Sequence, residues 1–427
     1  MIIRGGSIQG TVLAPPSKSM TQRAVVCSLL SSGRSEIVNP STSDDGLTSI
    51  SAAQMMGAEA EMMRGVWRIS PPRSLEAPED VINCMGSATT MRFFTAVAAL
   101  GEGGTVLTGD ASLRRRPVGD LLDAMNRLGA RCFSTRRNGL PPVVVEGGGI
   151  RGGEAEVQGD VSSQHISALI FACTRAEGDT TIRVTTPIES SPYIEMSLQV
   201  LKAFGGAARL DPGKRAFLIP GRQVLHGCRY VVEGDYSSAA FILAGGALAG
   251  MASVAGLNAE SAQGDKRIVE VIRNMGGEAS VDFRRGVVES AQGRLRGIVI
   301  DCSETPDLVP VIGVLATQAD GMTVIRGIRR LKIKESDRAD GTVRLINSMG
   351  GRAYIDGDAI HVVGPSKLRG AEVDPSGDHR MAMAAAIAGL VAEGETTIRS
   401  AECVSKSYQG FFEDLRRLGA EIEVVPE

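Results

Sequence analysis

Two kinds of apolar stretch alternate along the chain, and both recur with a period near 70 residues. One kind is apolar on a single side. In Leu121-Leu122-Asp123-Ala124-Met125-Asn126-Arg127-Leu128 the apolar residues fall at i, i+3, i+4 and i+7, which predicts an amphipathic helix. Each such helix runs into a bulky residue, a glycine and a second small residue. The copies are Met56-Gly57-Ala58, Leu128-Gly129-Ala130, Phe204-Gly205-Gly206, Met275-Gly276-Gly277, Met349-Gly350-Gly351 and Leu418-Gly419-Ala420. Glycine suits the exit of a helix, where the chain turns left-handed and a Cβ would clash. The other kind is apolar nearly all round, as in Ser238-Ala239-Ala240-Phe241-Ile242-Leu243-Ala244, and predicts helices buried in the middle of a domain.

A second glycine series keeps step with the first. Gly33, Gly103, Gly178, Gly250, Gly321 and Gly394 each precede a β-like run, with an apolar residue four positions on: Ile37, Leu107, Ile182, Val254, Ile325 and Ile398. Two markers holding one period define an internal repeat. Each copy reads helix, Gly, strand, loop, second helix, Gly, strand, turn, strand. The closing strands alternate around tight turns such as Asp356-Gly357. Six copies divide into two domains of three, and the lack of a low-complexity linker predicts a close hinge between them.

The length of 427 residues also exceeds what one core usually supports. Hydrophobic content of 43% and charged content of 22% fit a soluble globular protein. A net charge of −3 and 4% aromatic residues count against nucleic-acid binding. The seven scattered cysteines form no CxxC, which argues for reduced thiols and against a disulfide framework or a zinc site. The start, MIIRGGSIQG, has no signal-peptide pattern, and no apolar run reaches membrane-spanning length. A cytoplasmic protein that contacts no membrane is expected.

The repeat allows one position to be compared six times, the start of each uniformly apolar helix. The occupants are Ser17-Lys18-Ser19 with Arg23, Ser87-Ala88-Thr89 with Arg92, Ser162-Ser163-Gln164, Ser237-Ser238, Pro306-Asp307 and Asp378-His379-Arg380. Ser and Asp are ordinary caps there. Cations are not, because the helix dipole disfavours them unless an anion is bound. The loops after the first β-run add Asp44-Asp45, Arg114-Arg115-Arg116, Ser190-Ser191-Pro192-Tyr193, Gln263-Gly264-Asp265, Lys334-Glu335-Ser336-Asp337-Arg338 and Lys406. The pattern predicts a multiply charged, anionic small molecule, enclosed as two such faces close.

Several of these runs carry a resemblance. Pro16-Ser17-Lys18-Ser19-Met20-Thr21-Gln22-Arg23, Arg115-Arg116-Pro117-Val118-Gly119, Val161-Ser162-Ser163-Gln164, Gly234-Asp235-Tyr236-Ser237-Ser238, Lys334-Glu335-Ser336-Asp337-Arg338 and Asp378-His379-Arg380-Met381-Ala382 resemble, in order, the signatures of the 3-phosphoshikimate 1-carboxyvinyltransferase (5-enolpyruvylshikimate-3-phosphate synthase) family of enolpyruvyl transferases. The resemblance spans nearly the whole chain. It implies an α/β (α+β) fold of two similar domains, residues 15–234 and residues 1–14 with 235–427. Each domain would hold three βαβαββ repeats packed around buried helices, with the active site in the interdomain cleft. It also implies that a strand at about residues 2–13 joins the C-terminal domain.

The implied reaction joins phosphoenolpyruvate to the 5-hydroxyl of shikimate 3-phosphate and releases phosphate, without metal or organic cofactor, in a monomer. Lys18, Asp307 and Glu335 would move protons. Lys18, Ser19, Arg23, Ser162, Ser163, Gln164, Ser190, Tyr193, Asp307 and Lys334 would hold shikimate 3-phosphate, with Ser19 and Arg23 on its phosphate. Lys18, Ala88, Gln164, Arg116, Arg338, Arg380 and Lys406 would hold phosphoenolpyruvate. Plainer readings stand beside these: a solvated lysine at Lys18, a helix cap at Ser162 or Asp307, a structural ion pair at Glu335, and an orienting role for His379. His165, His226 and His361 read as structural or surface residues. Two positions depart from the family pattern, Ala88 where a glycine is usual and Arg330 where an asparagine often contacts shikimate. The sister transferase acting on UDP-N-acetylglucosamine carries Asn after the early lysine and a reactive cysteine on a loop, where this chain has Ser19 and Arg114-Arg115-Arg116. A non-enzymatic repeat scaffold is the alternative of another class.

Overall fold

The computed structural model describes residues 1–424; the last three positions of the expected 235–427 segment lie outside the described residues. The chain divides into two units, one formed by Pro16–Val232 and the other by Met1–Pro15 with Glu233–Glu427.

The Pro16–Val232 unit holds three repeats, with helices α1 (Lys18–Leu30) and α2 (Asp44–Met55), α3 (Ala88–Ala98) and α4 (Gly119–Arg127), α5 (Ser163–Cys173) and α6 (Ser191–Ala203). Each repeat has a four-stranded sheet. In the middle one, Ile82–Asn83 lies parallel to Gly104–Thr108, and Val143–Glu146 and Arg131–Ser134 follow antiparallel. Parallel neighbours need a crossover, and α3 supplies it. The first sheet takes its parallel strand, Arg229–Val231, from beyond the third repeat, beside Ser35–Val38. Every residue of α3 is buried, and Phe93 meets Phe171 of α5 edge-on at 5.3 Å.

In the other unit the pairs are α7 (Tyr236–Ala249) and α8 (Ile268–Asn274), α9 (Val309–Thr317) and α10 (Arg338–Ser348), α11 (His379–Leu390) and α12 (Phe411–Arg417). Helices α7, α9 and α11 are buried on every side and pack on one another. The chain's first residues complete two of this unit's sheets. They form two strands where the sequence suggested one: Ile2–Arg4 between Glu395–Ile398 and Ile422–Glu423, and Ile8–Leu13 alongside Gly250–Ala255. Gly5 marks the break, since a Cβ there would lie 2.4 Å from the Ala392 carbonyl oxygen.

Both glycine series fall where the pattern placed them. Gly57, Gly129, Gly205, Gly276, Gly350 and Gly419 all have positive φ at the ends of the outer helices. Ile37, Leu107, Ile182, Val254, Ile325 and Ile398 all point into cores from their strands. Among the described residues, no helix is long and apolar enough to cross a membrane.

Candidate active site

In the Pro16–Val232 unit, the entrances of α1, α3 and α5 carry the charged residues. Ser17 caps α1 by accepting the Met20 amide at 3.4 Å, which places Lys18 in the first turn. The Lys18 ammonium lies 2.8 Å from the Asp45 carboxylate in the first turn of α2, and both side chains are mostly buried. Arg23 is 1% exposed. Its guanidinium donates to Ser197 Oγ at 2.9 Å, the Ser19 carbonyl at 2.8 Å and the Tyr193 carbonyl at 2.8 Å, and it lies over the Phe93 and Tyr193 rings. All three acceptors are neutral. Burial brings this group down to about 10, so it stays charged at neutral pH, with no carboxylate beside it among the described residues. A buried, uncompensated cation is costly and marks a place for an anion.

Ala88 opens α3, 4% exposed, behind the Ser87 cap. Four residues on, Arg92 holds the Gln164 side-chain carbonyl through Nη1 and the Pro117 carbonyl through Nη2 at 3.0 Å. The Gln164 amide in turn donates to Thr89 Oγ1 at 2.9 Å. Arg92 thereby fixes Gln164 and the peptide next to the buried Arg116. Ser162 does what the plain reading proposed, capping α5 by accepting the Gln164 amide at 3.3 Å, with Ser163 buried next to it. Ser190 stands at the entrance of α6 in the left-handed region (φ 56°) and its side chain makes no cap bond. A non-glycine residue there is strained.

In the other unit the charges form one network around Asp307. This residue lies in the short turn Pro306–Leu308 ahead of α9, and no side chain caps that turn. Its carboxylate instead receives Arg338 at 2.6 Å, Arg380 at 3.1 Å and Lys334 at 3.5 Å. Arg338, 1% exposed, also binds Asp378 at 2.7 Å and Glu335 at 2.8 Å. The ion pair foreseen for Glu335 therefore exists, and Lys406 lies 4.0 Å from its other oxygen. Asp378 caps α11 through the Arg380 amide at 2.9 Å. His379 is buried, 3.8 Å from Asp378.

Burial alone would raise the Asp307 carboxyl, but the Arg380, Lys334 and Arg338 cations outweigh it and hold the group well below the usual carboxylate range. Burial brings Lys334 down to about 8, and the nearby Arg330 and Arg338 charges work in the same direction. Arg330 thus stands beside Lys334 as one more positive charge. In the ion pairs of this network, three carboxylates (Asp307, Glu335 and Asp378) face four cations (Lys334, Arg338, Arg380 and Lys406).

Each unit therefore gathers its own share of the expected residues. Lys18, Ser19, Arg23, Ala88, Arg116, Ser162, Ser163, Gln164, Ser190 and Tyr193 lie in one; Asp307, Lys334, Glu335, Arg338, Arg380 and Lys406 lie in the other. Asp45, Arg92 and Asp378 are not among the expected site residues, although each sits at a helix entrance or loop that the repeat had already singled out. Their partners Lys18, Gln164 and Arg338 are 27, 72 and 40 residues away, and only the fold brings them close. Among the described residues, no group of three or more His, Cys, Asp or Glu is placed to hold a metal ion.

This chain, with its six sheets and buried helices, matches solved enolpyruvyl transferases in fold. The EPSP synthase of Acinetobacter baumannii matches with a TM-score of 0.83 at 27% identity, over 98% of both chains. The enolpyruvyl transferase NikO of Streptomyces tendae matches in fold with a TM-score of 0.80 at 19% identity, over 98% of this chain and 97% of that one. By sequence, residues 3–415 match the EPSP synthase (3-phosphoshikimate 1-carboxyvinyltransferase) family, and the chain belongs to it. The 3-phosphoshikimate 1-carboxyvinyltransferase of Methanosarcina mazei is 41% identical over 100% of this chain and 99% of its own.

Proposed function

We propose that this protein transfers the enolpyruvyl group of phosphoenolpyruvate to the 5-hydroxyl of shikimate 3-phosphate and releases inorganic phosphate. Family membership supports the activity. The observation that carries the site is the pair of charge arrangements: Arg23 buried without an acid in one unit, and a cation-rich network around Asp307 in the other.

In this reading Arg23 and Ser19 take the shikimate phosphate, and Ser162, Ser163, Gln164, Ser190, Tyr193 and Lys334 line the rest of that pocket. Arg116, Arg338, Arg380, Lys406, Gln164 and Ala88 surround phosphoenolpyruvate, where the planar fork of arginine matches carboxylate and phosphate. The hydroxyl oxygen bonds to the central carbon of phosphoenolpyruvate as its proton passes to Asp307. The methylene carbon takes a proton from Lys18 or Glu335, giving a tetrahedral adduct. Loss of a methyl proton to the same side chain then expels phosphate and restores the double bond.

The depressed Asp307 carboxyl is a poor base while three cations surround it. Substrate anions that engage Arg338, Arg380 and Lys334 would relieve that hold and raise its basicity when the hydroxyl arrives. The same reading has a monomer working in the cytoplasm without a bound cofactor, and the seven cysteines are all free thiols. Phosphate release that needs both substrates, and fails when UDP-N-acetylglucosamine replaces shikimate 3-phosphate, is the expected assay result. Asp307→Asn should lower kcat by about 100-fold or more, the scale of general acid–base catalysis. Release from phosphoenolpyruvate alone would overturn the reading.

A further inference from the structure

Asp265 is a carboxyl that the mechanism above does not use. It lies in the turn Gly264–Arg267 ahead of α8 and is 2% exposed. Ser237 Oγ donates to its Oδ2, while its Oδ1 is buried with no hydrogen-bond partner among the described residues. Ser237 belongs to the first turn of α7, and its carbonyl accepts Arg380 Nη1 at 3.0 Å. The other end of the same guanidinium meets Asp307 at 3.1 Å. Gln263 locks the turn to α7, accepting the Tyr236 amide at 3.0 Å and donating to the Gly234 carbonyl at 2.8 Å. Asp265 is thus two links from Arg380 and three from Asp307.

Its electrostatic surroundings are one-sided. Facing it are Asp307 from the turn before α9, Asp235 at the cap of α7, Arg380 of α11 and the neutral thiol of Cys302. The two cations on its own turn are engaged elsewhere, Lys266 with the Ser261 carbonyl at 2.7 Å and Arg267 with the Asp301 carbonyl at 2.7 Å. Two acids and complete burial therefore oppose one arginine. Burial first, then the Asp307 charge, push the Asp265 carboxyl up to about 7, against the pull of Arg380 and the Ser237 hydrogen bond.

We propose that Asp265 is a positioning residue that acts through Ser237 on Arg380, seating it for the substrate anion as a neutral acid and weakening that grip when it loses its proton. The proposal rests on the reading that Arg380 holds an anionic group of phosphoenolpyruvate. A neutral Asp265 leaves Arg380 shared between Asp307 and the ligand. An ionised Asp265 places a second negative charge behind the same guanidinium and repels the incoming anion.

The test compares KM for phosphoenolpyruvate and kcat from pH 6 to pH 8.5 in the wild type and in D265N, the permanently neutral isostere. The wild-type KM should climb past that of D265N by about threefold or more toward pH 8.5, and the two should converge toward pH 6. S237A removes a hydrogen bond that favours the ionised form and should move the wild-type step to higher pH. Parallel KM profiles for wild type and D265N overturn the proposal, as does an equal loss of kcat at every pH with no change in the KM profile. Carbon-13 NMR of aspartate-labelled wild type decides the matter without a variant. A carboxyl titrating near pH 7, and higher with inorganic phosphate bound, supports the role; one that phosphate does not move overturns it. Absence of phosphate release from the wild type with both substrates sinks the enolpyruvyl reading instead, and the NMR titration still decides on Asp265.

Discussion

At the residue scale, Lys18 and Asp45 show how an ion pair prepares a site. The lysine sits in the first turn of α1, where the dipole disfavours a cation, and Asp45 offsets this at 2.8 Å. Removing one partner of a largely buried pair strands the other. Asp45→Asn should therefore lower kcat/KM by about tenfold or more, less than the roughly 100-fold that loss of a general acid or base itself costs. Asp44→Asn, on the exposed side of the same turn, should stay within about twofold; equal losses in steady-state kinetics would count against the pairing. Ala88 makes a second residue-scale case. Its methyl stands at the entrance of α3, beside the proposed phosphoenolpyruvate pocket, where the family usually has glycine. Glyphosate, a bulkier mimic, should inhibit the natural chain weakly and Ala88→Gly several-fold more tightly, which competitive inhibition constants would reveal.

At the scale of elements, α7 and α11 are rich in alanine and glycine where they lie against strands and against each other. In α7, a Cβ on Gly246 would come within 2.5 Å of Ser290 Oγ and 2.7 Å of the Ala252 backbone nitrogen. The nearest atoms to a Cβ on Gly245 would be methyl ends of Ile8, Ile387 and Leu390, at 3.1 Å or more. Alanine gains about 1 kcal/mol over glycine in a helix, while overpacking costs about 1–3 kcal/mol. Gly245→Ala should thus be near neutral in urea unfolding and Gly246→Ala destabilising by about 1–2 kcal/mol. The reverse order would show that this face of α7 is not set by backbone approach.

For the whole molecule, buried carboxyls shape how stability depends on pH. The folded state keeps the Asp265 proton up to about pH 7, whereas an unfolded aspartate releases it near 3.8. The stabilisation from that proton is full below the unfolded value and is lost as pH rises through the folded one. Asp307 has the opposite sign, contributing above the unfolded value and losing its contribution as pH falls through its depressed one. D265N should therefore gain in stability relative to the wild type as pH rises from 4 through 7, by on the order of a few kcal/mol at pH 8. A difference that does not vary with pH, in calorimetry from pH 4 to pH 8, would remove Asp265 as its source.

Local physics acts within a few residues, and that much was legible in the chain. The six-fold repeat, the positive-φ glycines such as Gly350, the buried inner helices and the cations at helix entrances all follow from periodicity, backbone sterics and the helix dipole. Long-range geometry decided the rest. That Asp45 neutralises Lys18, that Arg92 aims Gln164, that Asp307 bonds three cations, and that Asp265 reaches Arg380 through Ser237 depend on residues brought together from distant repeats. Spacing along the chain cannot reveal such pairs, because the sheets and crossover helices set those distances. The break at Gly5 belongs with them, since what forbids a side chain there is the carbonyl of Ala392, nearly the whole length of the chain away.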